Sequence, residues 1–142
     1  MQDEIRGRCL CGSISFTLGS ALHATRACWC RDCQYLSSGN ASLSLLFDST
    51  ALLVEGQPST YIRKSDGGRE IRTEFCSTCG TPLFARDLHD GAFVAVRLGS
   101  LDDRETGEPF STIWTKSAPG WARIDVGRAR SAGQPPPLQS DQ

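Results

Sequence analysis

The sequence predicts a mainly β domain with little helix. Three observations carry this: several short segments alternate apolar and polar residues with the period of a half-buried strand, Gly, Pro, Ser and Asp punctuate them, and no segment keeps a 3.6-residue apolar stripe through three turns. Strands are expected over residues 13–18, 42–47, 59–64, 69–75, 82–86 and 93–98. Between the third and fourth lies Ser65-Asp66-Gly67-Gly68, whose Asp66-Gly67 step predicts a tight hairpin turn with positive φ. One short helix is expected over 31–38. From about Arg128 the chain becomes rich in Gly, Ser, Gln and Pro, including Pro135-Pro136-Pro137, and offers little apolar surface to offset chain entropy. The expected organisation is one domain over 1–127 and a disordered tail over 128–142.

Composition narrows the function classes. The chain has 142 residues, 39% of them apolar, enough for one core. Its formal net charge is −1, so it lacks the basic excess by which nucleic-acid binders neutralise phosphates. No apolar run approaches the roughly 18 residues of a membrane span, and Met1-Gln-Asp-Glu-Ile-Arg lacks the basic-then-apolar layout of a secretory signal. A soluble, cytoplasmic protein with neither nucleic-acid nor membrane partners is expected; oligomeric state is not legible.

Seven cysteines are the outstanding feature, and an odd number cannot all pair within one chain. In a reducing compartment clustered cysteines serve metals or redox chemistry more often than cross-links. They fall into three groups: Cys9-Leu-Cys11-Gly12, Cys28-Trp-Cys30-Arg-Asp-Cys33 and Cys76-Ser-Thr-Cys79-Gly80. A structural zinc takes four ligands, so two remote pairs can clamp two chain segments; Cys9, Cys11, Cys76 and Cys79 make such a clamp. Gly12 and Gly80 would relieve the tight turns after each pair. The alternatives are buried thiols or a Cys-x-x-Cys redox pair, but the latter wants a βαβ context that is absent.

Cys28, Cys30 and Cys33 remain, and three ligands leave a fourth position open. Zinc does chemistry in such a site, because a thiol, water or carbonyl oxygen can enter the coordination sphere. The alternatives are a purely structural zinc completed by His23 or His89, although neither histidine has a spacing that forces it into a site, or a site lost to function. Trp29, between two ligands, must point away from the metal, either into the core or toward a pocket wall. Trp114 and Trp121 are candidates for a binding groove or for core. Arg63, Lys64, Arg69 and Arg72 flank the hairpin as solvated charges or as partners of an anionic thiol's carboxylates, with Arg63 and Lys64 on opposite faces and Arg72 sharing a face with Glu70 and Glu74.

Taken together, C-L-C-G, C-W-C-R-D-C, R-T-E-F-C-S-T-C-G-T-P-L, L-G-S-L-D-D and I-W-T-K-S-A-P-G-W resemble the glutathione-dependent formaldehyde-activating enzyme (GFA) family, also called the centromere protein V family, over residues 5–125. The resemblance implies an Mss4-like, or β-tent, fold with two zinc ions: a structural one on Cys9, Cys11, Cys76 and Cys79 and a catalytic one on Cys28, Cys30 and Cys33. It implies a carbon-sulfur lyase run in the synthetic direction, joining glutathione or a similar small thiol to formaldehyde or another aldehyde as S-hydroxymethylglutathione or its analogue. It also leaves a non-catalytic zinc scaffold or interaction module as the alternative. Two positions depart from the family's usual pattern: Trp29 replaces a His and Gln34 a basic residue.

Overall fold

The computed structural model describes residues 4–19, 22–109 and 111–138. Two sheets face each other. The smaller contains β1 (Ile5–Arg8), β2 (Ser15–Leu18) and β5 (Leu52–Glu55), with β2 in the middle and all pairs antiparallel. The larger adds β3 (Leu22–Cys28), β4 (Ser42–Asp48), β6 (Ser59–Lys64), β7 (Glu70–Phe75), β8 (Pro82–Asp87), β9 (Phe93–Arg97), β10 (Ser111–Ile113) and β11 (Ala129–Arg130). Its order is β11-β10-β3-β4-β9-β8-β7-β6. Pairing is antiparallel from β3 through to β6, whereas β10 lies parallel to both β3 and β11. One short helix, α1 (Arg31–Leu36), follows β3, so the chain is mainly β as the alternation predicts.

The core lies between the sheets. Phe16 and Leu18 of β2 meet Leu45, Phe47, Phe84, Val94 and Val96 of the larger sheet, and Phe16 packs edge-on against Phe84 at 5.1 Å between ring centroids. Period-two alternation sends Leu45 and Phe47 of β4 into this core, leaving Ser42, Ser44 and Leu46 on the opposite face. Gly7 permits the close approach of β1: a Cβ there would overlap the Phe16 ring and the Ser100 carbonyl. A second apolar cluster, of Trp29, Cys30, Cys33, Ile113 and Trp114, lies where α1 meets β10.

The hairpin forms as expected, with Lys64 opposite Glu70, but its positive φ falls on Gly68, at +83°, rather than on the Asp66-Gly67 step. Gly68 N–H donates to Ser65 O at 2.9 Å and Ser65 N–H to Arg69 O at 2.8 Å, a four-residue turn closed by a left-handed residue. Strands β1, β3, β5, β10 and β11 escape the sequence pattern because they are short, or carry Gly, Ala and Arg in place of alternating β-branched residues. After Arg128, β11 lies beside β10, Ser131 N–H donates to Thr112 O and Thr115 N–H to Ser131 O. The remainder of that expected tail, 139–142, lies outside the described residues.

Candidate metal centres and the cleft between them and solvent

The first cysteine group is two matching turns. After β1, Gly12 N–H returns to Cys9 O at 3.1 Å with Gly12 at φ +83°; after β7, Gly80 N–H returns to Cys76 O at 2.8 Å with Gly80 at φ +80°. Both glycines do what their place in the sequence requires. Leu10 N–H donates to Thr81 Oγ1 at 3.0 Å and joins the turns across 71 positions of sequence. The four sulfurs lie within 4.8 Å of one another. Cys9 and Cys11 are 3.6 Å apart and Cys11 and Cys76 3.8 Å, close to the roughly 3.8 Å edge of a tetrahedron with Zn–S near 2.3 Å. A Zn(II) ion therefore fits this set. The Thr81 hydroxyl, then backbone N–H groups including that of Cys11, hold Cys79 at about 5, so one ligand is already ionised near neutral pH.

The second group is built differently. Cys28 ends β3, Cys30 caps α1 with its sulfur accepting from Cys33 N–H at 3.3 Å, and Cys33 lies in the first helical turn. All three sulfurs are within 4.8 Å of one another, and Cys30 and Cys33 are 2.9 Å apart. Hydrogen bonds from Cys28 and Cys30 pull Cys33 far below the usual thiol range, while hydrogen bonding with Cys30, then with Cys33, pushes Cys28 far above it. Ser42 also donates to Cys33. Such a trio accommodates one thiolate comfortably and three only beside a cation, so its donor chemistry fits a metal as well. Neither histidine joins either group: His23 is bound to Asp48 at 2.9 Å, and exposed His89 is 3.8 Å from Glu70.

A cleft of about 500 Å³ opens over the three cysteines. Its floor is the face of the larger sheet turned away from the core, including Arg26, Ser42, Ser44, Leu46, Ala95 and Arg97; Arg63 and Trp114 flank it, and Gln134, Pro137 and Leu138 also line it. The four-cysteine group does not line this cleft.

The residues singled out in the sequence divide between floor and frame. Trp29 is 3% exposed, bonds through its N–H to Ile113 O, and packs edge-on to Trp121 at 6.1 Å, so it belongs to the apolar cluster behind the cysteines. Gln34 is also buried there: its Nε2 donates to Trp29 O at 2.8 Å and to Ser117 O at 3.0 Å. Trp114 does line the cleft, in a left-handed conformation at φ +59°, with its Nε1 donating to Gln134 at 3.0 Å, whereas Trp121 is largely exposed. Arg63 and Arg69 reach the cleft but are engaged by Asp32 and Asp87, each at 2.9 Å, while Lys64 and Arg72 do not line it. Sequence reasoning missed Arg26 and Arg97. Arg26 was reachable, since two residues before Cys28 on one strand means the same face; Arg97 depends on a register that only the folded sheet defines.

Among solved structures, the chain is similar to a crystal structure of a Rhodobacter sphaeroides protein, at 16% identity and a TM-score of 0.56, covering 89% of this chain and 98% of that one; this supports the fold alone. No curated protein matches the chain. Among the described residues, no helix is long and apolar enough to cross a membrane. The family model described as glutathione-dependent formaldehyde-activating enzyme matches residues 4–117, which span all seven cysteines and the cleft floor, and the chain belongs to that family.

Proposed function

We propose that this protein is a zinc-dependent carbon-sulfur lyase working toward synthesis, joining a small thiol to an aldehyde as glutathione joins formaldehyde in S-hydroxymethylglutathione. The observation that carries this reading is three convergent cysteines, with no histidine or carboxylate among them, at the floor of a cleft of ligand-binding size. Cys28, Cys30 and Cys33 would hold one Zn(II), and Cys9, Cys11, Cys76 and Cys79 a second that serves folding. When held by Cys28, Cys30 and Cys33, zinc would supply an exchangeable position and the Lewis acidity that lets a thiol give up its proton and stay nucleophilic.

The chain's own residues do the remaining work. Ser42 and the Cys33 N–H donate to the ligand sulfurs, orienting them and spreading their charge. Trp29 and Gln34 brace the Cys28–Cys33 segment from behind, so the site is set before substrate arrives. Trp114 and the apolar part of the floor limit water around the reacting pair. The reaction is an addition: a C–S bond forms, the carbonyl π pair moves to oxygen, and the proton given up by the thiol ends there. Seven free cysteines and a thiol substrate suit a reducing cytoplasm.

The test is incubation of protein carrying two equivalents of zinc with a panel of thiols and aldehydes, following adduct formation by NMR. Adduct formation faster than the uncatalysed background, abolished in Cys30→Ala, supports the reading. No acceleration with any pair would leave a zinc-bound scaffold in its place.

A further inference from the structure

The floor of the cleft is graded, and the sheet register reads out the gradient. Cys28 pairs with Ser42. One step further along the strands, Arg26 pairs with Ser44 and Ser44 with Arg97, a row across β3, β4 and β9. The next row is Leu46 and Ala95, continued by Ala85, with Phe93 beyond. Residues two apart on a strand are roughly 7 Å apart. The cleft therefore passes from sulfur to paired cations to an apolar strip.

The cations in the middle row differ from the other arginines at the cleft. Arg63, Arg69 and Arg86 are engaged by Asp32, Asp87 and Glu74. No carboxylate is within ion-pair distance of Arg26 or Arg97 among the described residues. Arg97 Nη1 donates to Ser44 Oγ at 2.8 Å, and its Nη2 is buried with no partner. Guanidinium groups keep their charge when buried, so the buried end of Arg97 calls for an anion nearby, and half-buried Arg26 faces the same space across Ser44. Before a thiol binds, three thiolates with one divalent cation carry a net charge of −1, which offsets one of the two arginines. The other is left for a ligand.

We propose that Arg26 and Arg97, on either side of Ser44, bind the carboxylate of the substrate, and that the Leu46, Ala95 and Phe93 strip receives an apolar group attached beyond it. The substrate class is a carboxylic acid with its reacting group about one row from the carboxylate and a hydrophobic portion on the far side. This deepens the preceding proposal, because it takes the three-cysteine site as the reacting end, and it parts from a tripeptide thiol whose outer arms are polar.

The experiment is calorimetric titration of the zinc-loaded protein with three unreactive probes: 4-phenylbutyrate, 4-phenylbutanamide and butyrate. The phenyl acid should bind about tenfold or more tightly than its amide, as expected of a charge-assisted pair, and about tenfold more tightly than butyrate, as expected of a buried ring. Arg26→Gln should erase the acid-amide difference and keep the phenyl increment, whereas Leu46→Asn should do the reverse, both with unchanged zinc content and circular dichroism. Equal affinity for acid and amide, no binding of any probe, or an undiminished acid preference in Arg26→Gln overturns the proposal. No probe contains a thiol or an aldehyde, so acid preference without turnover would sink the lyase reading and leave this one. Turnover without acid preference would do the opposite.

Discussion

Both cysteine groups bring their sulfurs within 4.8 Å of one another, yet their surroundings differ in ways that bear on chemistry. Cys9 and Cys76 are almost wholly buried against the inter-sheet core, their loops are closed by left-handed glycines, and their sulfurs are spaced for a complete tetrahedron. Cys28, Cys30 and Cys33 have no glycine among them, take their geometry from a strand end and a helix cap, and face a cleft with two arginines that lack carboxylate partners. On the proposed assignment, the difference teaches that ligand type alone does not separate a folding site from a reacting one. What separates them is whether the fourth position is filled by the chain and what the chain leaves in front of it.

The comparison is sharpened most strongly by removing one ligand from each group. Cys76→Ala should abolish the cooperative thermal transition, because it opens the clamp between β1 and β7 and exposes the core edge. Cys30→Ala should retain the transition with one zinc fewer, so unfolding of both variants would erase the distinction. Next in size, Phe84→Ala on the clamped side should cost about 3–5 kcal/mol by chemical denaturation, since Phe84 is fully buried against Phe16. Gly7→Ala should cost at least about 1–3 kcal/mol, because the added methyl overlaps the Phe16 ring and the Ser100 carbonyl. On the cleft side, Gln34→Ala should cost about 1–3 kcal/mol by leaving the Trp29 and Ser117 carbonyls without their side-chain donor. It should also loosen zinc at the three-cysteine site before the four-cysteine one. The smallest effect is expected for Asp87→Asn: a partly exposed ion pair with Arg69 contributes under about 1 kcal/mol, and its loss should register mainly as tighter binding of anions in the cleft.

Much of this arrangement was written locally. Cysteine spacing and the following glycines separate the two groups without any tertiary information, because a metal knuckle is a property of four or five consecutive residues. The strand at 59–64 and the hairpin after it are likewise local, although the left-handed residue proved to be Gly68, one position beyond the Asp66-Gly67 step. What local pattern could not supply was partnership across strands. Arg97 gains its meaning only by lying opposite Ser44, and composition does not encode the backbone hydrogen bonds that Ser131 makes with Thr112 and Thr115. Trp29 and Gln34 share a region behind the site rather than the cleft wall, which burial shows and sequence position does not.

The most direct test of the two-site account is stepwise chelation of the zinc-loaded protein, with released metal and far-ultraviolet circular dichroism recorded together. The account predicts that the first equivalent leaves with the spectrum intact and that the second leaves only as the β signal collapses. Release of both equivalents in one step, or collapse with the first, would contradict it.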